Sequence, residues 1–508
     1  GGRAAGQSVL PHPGENPLPL VAGIVAGRTR NPRFVVQGRR RMGEILAGYD
    51  LQPTTWVYIA SLMIVGIFFK FNRVLSVRNL DLSAMLAIAP GMLLVAAGRG
   101  LLAPLVAPDS SSGREQLGFW WLFLMTGFFS VRLLLDTLMV RRPLLTPNLS
   151  TGGLTFTLAA LLVFLSANVL TGKVRPGFEP APAGAACTAL TAWLGDAPDD
   201  QPQDTRSQAW RTATMRGAAV AVQLLIVAGL IVLGARHYDN VQTGVAAAAW
   251  YVLMPYTAEA TACLDHFLPG LLLLWAVVCY RRPVAAGVLL AVAAGLIWYP
   301  LLLLPLWCAF YARRGLLRFL GGALATLGVM ALILVVVADQ PAQWLHHWRQ
   351  MFGFGVLAPQ QCRGFWEYYD LVFRMPVMVA LVAVAVSMGI WPAQKNLAAL
   401  LSCTAALAAG SQFVHPYDGG LHLGWYLPLL IAVVLRPNLE DRVAEATVRE
   451  VKPPKWTERL MVWRWRKGLP AATVEGAAEA NAAGKAAAAE AAPHPPRSVP
   501  EPPAAAHQ

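Results

Sequence analysis

The sequence predicts an all-α fold, a polytopic transmembrane bundle of about 11–13 helices. Three observations predict it. Hydrophobic residues make up 56% of the 508 residues. Charged residues make up only 14%, against about 25% in soluble proteins. Apolar runs that approach the roughly 17–25 residues of a membrane helix recur along the chain. We therefore expect an integral membrane protein.

The net charge of 41 − 28 = +13 fits membrane topology better than nucleic-acid binding. The basic residues lie mainly in short loops between apolar runs, and such loops stay on the cytoplasmic side. The six cysteines show no CxxC or paired spacing, so neither a disulfide framework nor a zinc site is indicated. The expected partners are membrane lipids and not nucleic acid.

The chain divides into four parts. A basic segment, amphipathic or disordered, is expected over 1–54, the polytopic membrane domain over 55–436, an interfacial basic segment over 437–468, and a disordered Ala- and Pro-rich tail over 469–508. The membrane domain contains candidate spans at 55–71, 82–105, 117–139, 153–172, 216–235, 243–257, 267–280, 316–338, 375–391, 397–413 and 423–435.

A broken helical hairpin is predicted at 284–311. Basic pairs at 281–282 and 313–314 bracket this stretch, and both stay cytoplasmic only if the chain between them crosses twice. The run Trp298-Tyr299-Pro300 offers the turning point, because proline removes a helical hydrogen bond and disfavours helix in the residue before it. Irregular backbone within the membrane thickness is tolerated beside other protein or a wet cavity. The turn therefore predicts a cavity.

Counting spans from the hairpin gives the topology. Residues 258–266, 339–374 and 414–422 fall outside the cell, and the C-terminal tail falls in the cytoplasm of a bacterial cytoplasmic (inner) membrane. The same count places the basic residues between 28 and 41 outside. Either 55–71 does not span, or the basic N-terminus lies on the other face.

The first candidate site is Asp265 with His266, at the mouth of a span. An acid near a helix N-terminus is favoured by the helix dipole, and aspartate is a preferred cap residue. The alternative is a functional carboxylate that acts as a base or cation ligand. His266 beside it titrates near neutral pH and could bind an anion or shuttle protons.

The second candidate is the cluster His415, Asp418 and His422, in a connection where Gly419-Gly420 indicates a tight turn. Loops preferentially carry function, so substrate binding is one interpretation. A solvated polar loop is the other. These three potential ligands have no recognised metal spacing, so no metal ligand is assigned.

The third candidate is the aromatic-rich loop 339–374. Aromatic rings with carboxylates suit sugars, and the arginine donor fork suits phosphate. Trp and Tyr also serve as plain interfacial anchors, which is the favoured interpretation for most of these rings. Arg363 and Glu367 are the better functional candidates, because an anchor needs no paired charge.

These segments resemble a known family. The run Asp265-His266-Phe267-Leu268-Pro269-Gly270, the basic loop at 281–283, and the Gly-rich helix ending in Trp298-Tyr299-Pro300 are similar to polyprenyl-phosphate-dependent glycosyltransferases of the GT-C fold. The polyprenol-phosphate mannosyltransferase branch is the closest likeness, over residues 236–436. The family commonly has lysine where this chain has Trp298, and its N-terminal catalytic acid has no counterpart here, since Asp81 falls inside.

The resemblance implies sugar transfer from a polyprenyl-phosphate donor to an acceptor hydroxyl at the extracytoplasmic face. It implies Asp265 as the base, with Asp418 as the alternative. The residues expected to bind substrate or phosphate are His266, Arg363, His415, His422, Glu367, Trp366, Tyr299 and Trp425. A divalent cation (magnesium or manganese) is compatible with this chemistry. The competing hypotheses are a multi-pass transporter or lipid-handling protein, and a catalytically inactive scaffold with the same fold.

Overall fold

The computed structural model describes residues 53–100, 111–139, 146–171, 205–337, 344–345, 348–349, 351–354, 362–392, 395–439 and 442–448. Within these residues the fold is all-α, as predicted, and the only β-type pairing is two isolated bridges. The segment 1–52 and the residues beyond 448 lie outside the described part of the chain. The predictions for the N-terminal segment, most of 437–468 and the tail therefore stay predictions.

The helices in the first half of the chain are α1 (Pro53–Phe68), α2 (Val77–Leu86), α3 (Ile88–Gly98), α4 (Ser111–Leu135), α5 (Thr151–Thr171), α6 (Thr205–His237) and α7 (Val241–Leu253). Those in the second half are α8 (Pro255–Ala260), α9 (Leu264–Val278), α10 (Pro283–Leu296), α11 (Leu304–Tyr311), α12 (Leu316–Val337), α13 (Arg374–Ile390), α14 (Leu397–Gly410), α15 (Leu427–Leu435) and α16 (Ala444–Thr447).

Among the described residues, six helical segments are long and apolar enough to cross a membrane, which identifies a multi-pass membrane protein. They are Val77–Gly98, Gly113–Leu138, Thr151–Leu170, Thr212–His237, Leu316–Val336 and Leu371–Ile390. The first corresponds to the span predicted at 82–105, but it begins and ends earlier and is divided between α2 and α3. Pro90, in the first turn of α3, has no N–H to bond back into α2, so the helix breaks there.

The remaining apolar helices are short, and several of them are enclosed by the others. Every residue of α15 is buried, as are 13 of the 14 residues of α14. In contrast, the apolar window of Leu316–Val336 is only 22% buried. A nine-residue helix is about 14 Å long, well short of the roughly 30 Å hydrocarbon core. The polar ends of these inner helices must therefore be satisfied by neighbouring protein and not by the membrane surface.

The broken hairpin is confirmed. Helix α10 ends at Leu296, a 3₁₀ turn covers Tyr299–Leu303, and α11 follows directly. The chain returns to its starting point, because the Tyr311 hydroxyl donates to the backbone carbonyl of Tyr280 at 2.5 Å. The two arms then diverge: α10 packs on α9 and α12, whereas α11 packs on α13 and α14. The hairpin apex thus projects into the middle of the bundle.

A buried four-residue ion network lies at the far end of α15 from this apex. Arg132 donates to both carboxylate oxygens of Asp81 at 2.9 Å and to Asp136 at 3.1 Å. Arg436 donates to Asp136 at 2.8 and 2.6 Å. The network joins α2, α4 and the residue that follows α15. It places Asp81 beside the start of the C-terminal segment and away from the candidate site. The span count likewise predicts Asp81 and the C-terminal segment on the same side of the membrane.

Candidate functional site

The site forms where the start of α9 meets the connection between α14 and α15, residues 414–425, which we call the site loop. The two backbones touch closely. A Cβ on Gly270 would lie 2.0 Å from the carbonyl oxygen of Gly424, and a Cβ on Gly424 would lie 2.2 Å from that of His266. Only glycine fits at both positions. This approach brings His266 of α9 against His422 of the loop.

The site loop is held in shape from within. The side-chain oxygen of Gln412 accepts the backbone N–H groups of Gly420 and His422, both at 3.2 Å. Asp418 and Gly420 have positive φ values of 50° and 91°, the left-handed conformation that Asp and Gly tolerate best. The tight turn predicted from Gly419-Gly420 is confirmed.

Asp418 is clamped by two arginines. Arg363 donates to its Oδ2 through Nε at 2.8 Å and Nη2 at 2.7 Å, and Arg99 donates to its Oδ1. Glu115 in turn accepts from Nε of Arg99 at 2.8 Å. Only 4% of the Asp418 side chain is exposed. Because both of its oxygens already accept from guanidinium groups, Asp418 positions Arg363 and Arg99 and is less suited than Asp265 to accept a substrate proton.

Three histidines form a contiguous group between two tyrosines. The rings of His266 and His422 stack with centroids 4.4 Å apart, and the His415 ring lies perpendicular to that of His422 with centroids 4.8 Å apart. The Tyr256 hydroxyl bonds Nδ1 of His266 at 2.8 Å. The Tyr299 hydroxyl, at the hairpin apex, bonds Nδ1 of His415 at 3.2 Å. The hairpin turn therefore contacts polar and aromatic groups of the site.

The loop histidines are held in the neutral form. Burial, followed by the nearby charge of Arg374, lowers the pKa of His415 to about 3. Burial, followed by the neighbouring His266 and His415, lowers the pKa of His422 well below its usual value. At neutral pH His415 therefore offers a hydrogen bond, and not a positive charge, to a phosphate.

Three polar atoms of the site are buried without a hydrogen-bond partner among the described residues: Oδ2 of Asp265, Nδ1 of His422 and Nε2 of His415. Asp265 is not the N-cap of α9, which is Cys263, but it lies in the first turn, where the helix dipole favours a carboxylate. Unpaired buried polar atoms are costly, and native proteins usually keep them for a ligand, water or chemical role.

Asp265, His266 and His422 each offer one ligand atom, and these atoms lie within 4.8 Å of one another. The sequence had grouped His422 with His415 and Asp418 instead. The arginine clamp withdraws Asp418 from that set, and the glycine contact brings His422 to α9. Two imidazoles and one carboxylate are a recurrent donor set for divalent transition metals.

The other predicted residues divide between the site and its surroundings. Trp425 lies against the cluster, 5.1 Å from His415 and 5.8 Å from Tyr299 between ring centroids. Trp366 is buried and donates to the carbonyl of Phe413 at 2.9 Å, so it is a packing residue and not an interfacial anchor. Glu367 is exposed, and the structure does not bring it into the cluster.

Sequence reasoning missed several residues that build the site. Arg99 follows the end of α3 and Glu115 lies near the start of α4, and the sequence analysis singled out neither. Arg374 is 1% exposed and donates to the backbone carbonyl of Val414 at 2.8 Å. Tyr256 carried no sequence signal, because its importance comes only from its contact with His266.

The chain matches no family model, no curated protein and no solved structure. Its function is therefore argued from the geometry of the site.

Proposed function

We propose that this protein is a membrane-embedded glycosyltransferase that moves a sugar from a polyprenyl-phosphate donor to an acceptor hydroxyl at the extracytoplasmic face. The observation that carries the proposal is the unpartnered carboxylate oxygen of Asp265. It lies in the first turn of α9 beside the histidine group, where a buried base is available to a hydroxyl. General-base assistance of this kind contributes about 10²–10⁴-fold to a rate.

The arginines at the site suit the leaving phosphate. The side chain of Arg363 is 28% exposed while its Nε and Nη2 hold Asp418. The exposed part of its side chain can face a ligand. Arg99, which is 17% exposed, lies on the other side of the same carboxylate. Fixed guanidinium donors aimed at developing negative charge stabilise a transition state without reorganising.

The hairpin apex and Trp425 suit the sugar and the lipid. Trp425 presents its ring beside Tyr299 and His415, and its indole N–H is already fixed by the backbone carbonyl of Asp265 at 3.1 Å. The residue is 2% exposed, so its face would pack on a sugar ring or a prenyl chain once the site opens to admit the donor. The resemblance of residues 236–436 to GT-C glycosyltransferases adds to this interpretation.

The test is sugar transfer by the purified full chain in nanodiscs, with a panel of labelled polyprenyl-phosphate sugars and a membrane-lipid acceptor extract. We expect Asp265→Asn to lower transfer at least 100-fold. Asp239→Asn is the matched control, because Asp239 is a 71% exposed acid paired with Arg442 and distant in the chain from the site. The control should transfer at the wild-type rate.

Full activity of Asp265→Asn would refute its assignment as the base. Solute flux into liposomes without any lipid-linked donor would favour the transporter hypothesis instead. The absence of both transfer and flux with every donor tested, in a protein that is folded and inserted, would favour the inactive scaffold.

A further inference from the structure

The unpartnered atoms at the start of α9 point to a metal site. Oδ2 of Asp265 and Nδ1 of His422 are both buried and without a partner among the described residues. His422 is 1% exposed, and His266, which is 2% exposed, supplies a third donor within 4.8 Å. We propose that Asp265, His266 and His422 bind one divalent transition-metal ion.

The second contacts of the two rings identify Nδ1 as the metal-binding nitrogen of each. A ring N–H of His422 reaches the backbone carbonyl of Asp418, which leaves its Nδ1 as the donor. The His266 ring likewise reaches the carbonyl of Leu421, while its Nδ1 accepts the Tyr256 hydroxyl. Metal-bound histidines almost always donate their other N–H to a carbonyl or carboxylate. The Tyr256 hydroxyl then occupies the position that a metal ion would take on His266.

The donor set selects the class of ion. Two imidazole nitrogens and one carboxylate suit zinc or iron(II), whereas magnesium prefers oxygen ligands. Ligands of a tetrahedral zinc ion lie about 3.4 Å apart, given bonds of about 2.1 Å. The three donors lie within 4.8 Å of one another, so binding would bring them closer by up to about 1.4 Å. The stacked rings of His266 and His422 would tilt so that both nitrogens face the ion.

The inference does not rest on the proposed glycosyltransferase activity, because metal binding is measured without substrate. The two ideas are compatible. A carboxylate that ligates through one oxygen keeps the second oxygen for a substrate proton.

The test uses tag-free full-length protein in detergent, stripped with a chelator, dialysed against Zn²⁺ or Co²⁺ and assayed by elemental analysis. We expect one ion per chain, retained in excess Mg²⁺, and a four-coordinate Co²⁺ absorption spectrum. Asp265→Asn and His422→Gln should each weaken binding at least 100-fold. His237→Gln is the matched control, because His237 is also buried with an unpartnered Nδ1 but bonds the Val278 carbonyl at 2.9 Å, away from the cluster.

Tyr256→Phe gives a change of opposite sign. Removing the hydroxyl frees Nδ1 of His266, so this variant should bind Zn²⁺ more tightly than the wild type. The proposal is overturned if the wild type takes up no stoichiometric ion, or if the folded Asp265→Asn and His422→Gln variants bind as much as the His237→Gln control. Loss of metal binding with Asp265-dependent transfer intact would remove the metal site and leave the proposed function standing. Metal binding without any transfer would refute the proposed function and leave the metal site standing.

Discussion

Removing one charge from the ion network at the end of α15 is predicted to destabilise the bundle strongly. The perturbation is Asp136→Asn, which keeps the shape of the side chain and deletes its charge. Asp136 is fully buried and accepts hydrogen bonds from Arg132 and Arg436. After the substitution, the network keeps two buried guanidinium groups but one carboxylate, Asp81, which pairs with Arg132.

The magnitude follows from the geometry. Two opposite charges about 4 Å apart interact by about 4 kcal/mol at an effective dielectric constant near 20, and Asp136 makes two such pairs. The variant no longer has to desolvate one carboxylate, which offsets part of the loss. Breaking a buried pair on one side typically costs about 3–5 kcal/mol, and we expect a loss in that range.

The assay is unfolding in mixed micelles, followed by circular dichroism as SDS is increased. Asp239→Asn is the control, because its ion pair with Arg442 is exposed and its left-handed backbone, with φ of 52°, suits asparagine. The control should change the free energy of unfolding by less than about 1 kcal/mol. A loss for Asp136→Asn no larger than that of the control would refute the reasoning.

Three further predictions concern the site and its neighbourhood, measured by the same unfolding assay. Gly270→Ala places a methyl group against the carbonyl of Gly424 and should cost about 2 kcal/mol or more, whereas Gly321→Ala in α12, which meets nothing within 4 Å, should be neutral or stabilising. Burial raises the pKa of Glu259 to about 7. Between about pH 4.5 and 7, the folded chain therefore holds a proton on Glu259 that the unfolded chain has lost. The free energy of unfolding of the wild type should fall as the pH rises through this range, and Glu259→Gln should lack this contribution. Asp418→Asn leaves two guanidinium groups around a neutral amide and should lower the free energy of unfolding by about 2 kcal/mol or more. An unchanged SDS unfolding midpoint would show that the two arginine contacts do not stabilise the fold.

The fold could be predicted because its main signals are local. Apolar run length indicated the spans, and Pro300 between two basic pairs indicated the hairpin. The error at 82–105 arose because the polar residues before it were interpreted as a loop. Asn79 and Asp81 are instead buried helical residues: the Asn79 amide donates to the carbonyls of Lys70, Arg73 and Val74, and Asp81 pairs with Arg132. Their partners compensate the cost of burying them, and no local pattern reveals those partners.

The site could be predicted only residue by residue. Asp265, His266 and His422 were identified because they are polar residues beside apolar spans. Their grouping could not be predicted, because it depends on the contact between Gly270 and Gly424, and a glycine pair distant in sequence carries no signal by itself. The arginine clamp on Asp418 likewise depends on contacts between residues that are distant in sequence. Long-range packing, and not residue type, decides which carboxylate is left without a partner.

Helix α15 connects the two polar clusters and gives the ion network a consequence for the site. The helix is only about 14 Å long, with Trp425 and His422 before its first turn and Arg436 immediately after its last. Hydrophobic matching cannot set the depth of so short a buried helix, so its position depends on what holds its ends. Asp136→Asn releases the Arg436 end, and a rigid helix transmits that freedom to His422. We therefore expect Asp136→Asn, unlike Asp239→Asn, to weaken Zn²⁺ binding by the folded protein. Unchanged affinity in a destabilised variant would show that the glycine contact with α9 alone fixes the site loop.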